Sequence, residues 1–115
     1  MAEQEGACLI RGDGGAALRA VLDRIADKWA LLIVATLDRR RLRFTDLRRE
    51  LPAVSQRMLT RTLRNLERDG LVSRTAHREV PPRVEYALTA TGRSLLAPAL
   101  VLARWAREHG AELER

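Results

Sequence analysis

The chain has 115 residues, 46% of them hydrophobic, which suits one small domain and excludes a disordered polyelectrolyte. A formal net charge of +6 and a pI near 11.1 point to a polyanionic partner. With one cysteine and two histidines, no disulfide framework or zinc cluster can be built.

Aromatic residues make up only 3%, so Leu, Val, Ile and Ala must fill the interior. The cations are nearly all arginine, Lys28 being the sole lysine, and a guanidinium fork matches phosphate and guanine edges. The N-terminus MAEQEGACLIRGDGG is acidic and glycine-rich and does not read as a signal peptide. The longest apolar run, Ala30 to Ala35, is far too short to span a bilayer. No membrane partner and a cytoplasmic location are expected.

Residues 1–15 read as a flexible arm, because Gly12, Gly14 and Gly15 disfavour a helix. Residues 16–115 form the expected domain. Leu18, Leu22, Ile25 and Trp29 recur at helical spacing. A second helix covers Trp29 to Leu37; its run WALLIVATL is apolar on nearly every side and belongs in the core. Asp38 to Arg43 reads as a basic turn.

Phe44, Leu47 and Leu51 mark a short helix, capped by Thr45 or Asp46 and ended by Pro52. A three-residue turn, Pro52-Ala53-Val54, leads to Ser55, a good N-cap for a helix running to Asp69. Gly70 supplies the stop. Leu71 to His77 and Val84 to Leu88 read as strands, joined by the loop Arg78 to Arg83, whose two prolines exclude a ladder. Thr89 caps a final helical region, Ala90 to Glu114, with a bend expected at Pro98. The expected fold is mainly α with a small β-hairpin, a winged helix-turn-helix in a dimeric protein.

The helix after Ser55 is two-sided. Met58, Leu59, Thr62, Leu63 and Leu66 share one face; Arg57, Thr60, Arg61 and Arg64 share the other. Such a helix fits a major groove, with Gln56, Arg57, Thr60 and Arg61 near base edges. Ser55 and the first backbone amides would hold a phosphate. A solvated surface helix carries the same pattern; the preceding turn and following hairpin favour double-stranded DNA. In the hairpin, Arg78 and Arg83, with Arg74 and His77, would lie along the phosphate backbone or probe the minor groove, unless the hairpin is merely basic. Arg39, Arg40, Arg41 and Arg43 fit a solvated turn better than a phosphate contact.

In the last helix, Leu96, Ala99, Leu102, Ala103 and Ala106, with Trp105, make an apolar stripe. A domain this small cannot easily bury it together with WALLIVATL, so a homodimer interface is its natural use, against packing on its own core. Enzyme motifs such as GxSxG, GxxxxGK[ST] and HExxH are missing; no catalytic residues, metal ligands or cofactors are expected. His77 and His109 have no acid at a catalytic spacing.

The stretches DKWALLIVATL and RFTDLRRELPAVSQRMLTRTLRNLERDGLVSRTAHREVPPRVEYALTATGRSL strongly resemble the HxlR-type winged helix regulators of bacteria, relatives of the MarR type. The resemblance runs from about Leu18 to the C-terminus. It implies a dimer formed by the first and last helices, so that Leu18 and Leu22 join Leu96, Leu102, Trp105 and Ala106 at the interface. It further implies an inverted-repeat operator, transcriptional repression or activation, and a response to electrophiles or oxidants. The sensing cysteine of such proteins lies just before the first helix and is often followed by proline. Here Cys8 precedes Trp29 by 21 residues and is followed by Leu9. Cys8 is the candidate redox sensor, set against an incidental thiol on the arm; the preferred effector is a small molecule between the first and last helices. The rival readings are a winged-helix protein-interaction module and a nonspecific nucleic-acid-binding domain.

Overall fold

The computed structural model describes residues 9–25 and 27–113. The elements run α1 Asp13–Ile25, α2 Ala30–Thr36, β1 Leu42–Arg43, α3 Phe44–Glu50, α4 Gln56–Arg68, β2 Val72–His77, β3 Arg83–Leu88, α5 Ala90–Ser94 and α6 Leu96–Leu113. The three strands form one antiparallel sheet in the order β1-β3-β2. The architecture is a winged helix-turn-helix.

The core is aliphatic, as the scarcity of aromatics demands. Ile33, Val34 and Leu37 from α2 and its end meet Leu47 of α3, Leu59, Leu63 and Leu66 of α4, and Val72 and Leu88 of the sheet. Each fully buried Leu contributes about 1.5–3 kcal/mol of transfer free energy. Phe44, Tyr86 and Trp29 pack around the edge of this cluster.

Several boundaries differ from the sequence reading. Helix α1 begins at Asp13, so Gly14 and Gly15 lie inside it rather than in an arm. Gly15 is there for space: a Cβ on it would stand 2.3 Å from the carbonyl oxygen of Ile10. The basic turn hides a strand, since Leu42 and Arg43 pair with Tyr86 and Glu85 of β3. Two residues are too few to display a period of two. The last helical region breaks at Leu95, not at Pro98. Pro98 sits in the first turn of α6, where the N–H it lacks has no helical partner anyway.

Caps fix the remaining ends. Arg43, not Thr45 or Asp46, is the N-cap of α3: its backbone N–H donates to Asp46 Oδ2 at 3.1 Å, and Asp46 folds back on it from the first turn. Gly70 takes φ +79°, the left-handed conformation that ends α4. The Thr89 hydroxyl donates to the Gly70 carbonyl and accepts from the Gly92 N–H, joining the α5 start to the α4 end.

Candidate nucleic-acid interface

Helix α4 is set by its two faces. Ser55 is extended (ψ 157°) and its hydroxyl accepts from the Met58 N–H at 3.1 Å, capping the helix as expected. Leu59, Thr62, Leu63 and Leu66 are buried at the 3, 4, 7 spacing. On the other side, Gln56, Arg57, Thr60, Arg61 and Arg64 line one open groove. Arg57, Arg61 and Arg64 are exposed, and none is ion-paired among the described residues. The guanidinium groups are thus placed for an anionic partner along one helix face.

Two contacts of α4 escaped the sequence reading. Arg48 Nη1 of α3 donates to Gln56 Oε1 at 3.3 Å, so the preceding helix reaches the first residue of α4. Thr62, 1% exposed, donates its hydroxyl to Asp27 Oδ2 at 2.7 Å, while Asp27 Oδ1 accepts from the Trp29 N–H at 2.8 Å. A threonine on an apolar stripe was the available signal: a buried hydroxyl needs a partner. Its partner, 35 positions away, could not be read from spacing.

The wing separates its arginines. Arg78 lies exposed in the loop between β2 and β3. Arg83 belongs to β3 rather than to the loop and its Nη2 lies 3.1 Å from Glu79 Oε1; its Nε is buried with no partner among the described residues. His77 Nε2 sits 2.6 Å from Glu85 Oε1, an acid that spacing along the chain did not reveal because the antiparallel register supplies it. These pairs lie at the loop end of the hairpin, where the strands enter the wing loop. Arg74 stands opposite Tyr86 and, with Thr60 and Arg64, lines a second groove joining α4 to the sheet. In the basic turn, Arg40 pairs with Glu50, and Arg41 Nη1 reaches Thr75 Oγ1 at 3.4 Å.

The six residues expected at a dimer interface lie on α1 and α6. No residue of α6 is buried. Leu102 is 54% and Trp105 48% exposed, and Ala106, Leu18 and Leu22 are exposed too. Leu96 alone of the six packs partly against its own core. Among the described residues, no helix is long and apolar enough to cross a membrane. Cys8 lies outside the described residues.

Comparison with known proteins bears on this geometry. The family described as HxlR-like helix-turn-helix matches residues 24–114. An HTH-type transcriptional regulator of Methanothermobacter thermautotrophicus is 42% identical over 97 residues, which cover 84% of this chain and 74% of that protein. The regulator YtfH of Escherichia coli is 41% identical over 87 residues, covering 76% and 69% respectively. Among solved structures, the redox regulator HypR in its reduced form is 39% identical, spans 85% of this chain and 97% of its own, and superposes with a TM-score of 0.77. Reduced YodB from Bacillus subtilis is 30% identical, covers 78% and 89%, and gives a TM-score of 0.71. With its two-sided α4, its hairpin wing and a match over most of its length, the chain belongs to the HxlR-like helix-turn-helix family of transcriptional regulators.

Proposed function

We propose that the chain regulates transcription as a homodimer on an inverted-repeat operator, each subunit laying α4 in a major groove. The carrying observation is α4 itself: one stripe buried, and Gln56, Arg57, Thr60, Arg61 and Arg64 around one open groove opposite. Gln56, Arg57, Thr60 and Arg61, nearest the helix start, read base edges. Ser55 and the adjacent amides hold a phosphate, and Arg78 reaches the backbone from the wing. Arg83 supports the wing through Glu79 and adds its charge beside the wing loop. The exposed apolar surface of α1 and α6, around Leu18, Leu22, Leu102, Trp105 and Ala106, supports the dimer. Two symmetric subunits would present their α4 helices to half-sites about 34–36 Å apart.

Regulation completes the reading. HypR is named as a redox regulator. In this chain any thiol switch must run through Cys8, its single cysteine, with no second thiol in the subunit to resolve it. A noncovalent effector is therefore the preferred signal.

Selection of bound fragments from genomic DNA, followed by anisotropy titration on the selected and a scrambled site, tests the proposal. The expected result is a palindromic consensus bound at least a hundred-fold more tightly than the scramble. Equal affinity for both would leave a nonspecific nucleic-acid-binding domain, and no DNA binding would leave a docking module.

A further inference from the structure

We infer that Arg48 is a specificity-determining residue: it holds the amide oxygen of Gln56, so that Gln56 meets its base with N–H donors alone and selects guanine in each half-site. The inference rests on the reading of α4 as a major-groove helix and deepens it by naming the base edge that one residue takes.

Gln56 is the first residue of α4 and lines the open groove with Arg57, Thr60 and Arg61. A glutamine amide carries an acceptor at one end and two donors at the other. An exposed one turns about its last torsion and offers either end. Here α3 makes the choice. Arg48 Nη1 donates to Gln56 Oε1 at 3.3 Å. A guanidinium has N–H donors and no acceptor, so the amide end that faces it must be the oxygen. The acids of α3 are engaged elsewhere: Asp46 lies 3.7 Å from Arg49, and Glu50 pairs with Arg40. Arg48 itself has no ion pair among the described residues. Its contact with Gln56 is exposed and long in the free protein; a duplex closing over it excludes water and strengthens it.

What Gln56 then offers a base is Nε2. In the major groove guanine shows two acceptors, N7 and O6, and thymine shows one, O4, beside its methyl. Adenine sets N7 beside an N–H donor, and cytosine shows a donor. The bidentate pairing of glutamine with adenine takes Nε2 and Oε1 together. An oxygen already accepting from a cation is the poorer partner for the adenine N6 donor, while the same cation polarises the amide and strengthens its N–H donors. The N-terminal end of the helix dipole adds positive potential at this position. The order of preference is therefore guanine, then thymine, with adenine and cytosine disfavoured.

Anisotropy titration of the full chain on the selected operator, with each position of a half-site changed in turn to all four base pairs, tests this. Gln56→Ala marks the position that Gln56 reads, as the one whose preference it abolishes. There the wild type should bind guanine at least about ten-fold more tightly than adenine or cytosine. Arg48→Ala should compress that preference to within about three-fold and leave the other positions unchanged. Arg48→Lys, which keeps a donor, should restore most of it. In the Gln56→Ala background, Arg48→Ala should alter no base preference. On the DNA-free protein, the side-chain amide of Gln56 should show a lower heteronuclear NOE in Arg48→Ala than in the wild type. Adenine preferred at this position by the wild type, or a guanine preference untouched by Arg48→Ala, would overturn the inference. So would a loss equal for all bases with the salt slope lowered by about one unit, which would make Arg48 a phosphate contact. A chain that bound no DNA would overturn the functional reading, and the amide measurement would still judge the Arg48–Gln56 pair, which an unchanged NOE would refute.

Discussion

Replacing Thr62 by valine isolates the buried polar contact that the recognition helix makes with Asp27. Valine has nearly the shape of threonine, so the packing beside Leu59, Leu63 and Leu66 is kept and only the hydroxyl is lost. The hydroxyl donates to Asp27 Oδ2 at 2.7 Å. A hydrogen bond to a charged group is worth about 1.5–3 kcal/mol. The added methyl recovers about 0.8 kcal/mol by burial. The net loss is then about 1–2 kcal/mol, or roughly five- to thirty-fold in the folding constant. Asp27→Ala should cost about 1 kcal/mol more than Thr62→Val, because it also removes the acceptor for the Trp29 N–H at 2.8 Å. The double variant should show a coupling of about 1–2 kcal/mol, since both changes delete the same bond. Urea denaturation at one fixed subunit concentration is the assay, because the stability of a dimer would depend on concentration. A loss below about 0.5 kcal/mol for Thr62→Val, or strict additivity in the cycle, would refute the claim that this bond anchors α4.

Arg57→Ala and Arg61→Ala should each weaken operator binding by about 1–3 kcal/mol while affecting scrambled DNA less; equal losses on both sequences would make these arginines phosphate contacts. Arg78→Ala should lower the slope of log affinity against log salt by about one unit. Arg83→Ala, deprived of its pairing with Glu79, should disturb the wing itself, visible as faster amide exchange between His77 and Arg83. Leu102→Glu should shift the protein to monomer in sedimentation at micromolar concentration, because a carboxylate buried in the interface has no partner; an unchanged dimer would move the interface elsewhere. Cys8→Ser should leave operator binding and its regulation intact, and release of the wild type alone by diamide or a quinone would reverse that expectation.

The elements that local chemistry dictates were legible in the sequence. Ser55 followed by a 3, 4, 7 apolar stripe specifies α4, and Gly70 specifies its end, because capping and helical period act within a few residues. Alternation at Val84, Tyr86 and Leu88 specifies β3, and the outward set Arg57, Thr60, Arg61 and Arg64 follows from the same periodicity that buries Leu59 and Leu63. What required the folded chain is whatever depends on neighbours distant in sequence. Strand β1 exists because β3 offers Leu42 and Arg43 a hydrogen-bonding edge; the dipeptide alone has no such preference. Register across the hairpin brings Glu85 to His77, and the return of the chain brings Glu79 to Arg83, giving an arginine expected along the phosphate backbone an acidic neighbour within the wing. The partnership of Asp27 with Thr62 and of Arg24 with Asp69 arises where the chain at and just beyond the end of α1 meets the recognition helix and its C-cap. Side chains declare through their type that they need a partner, but only the tertiary path decides which residue meets that need.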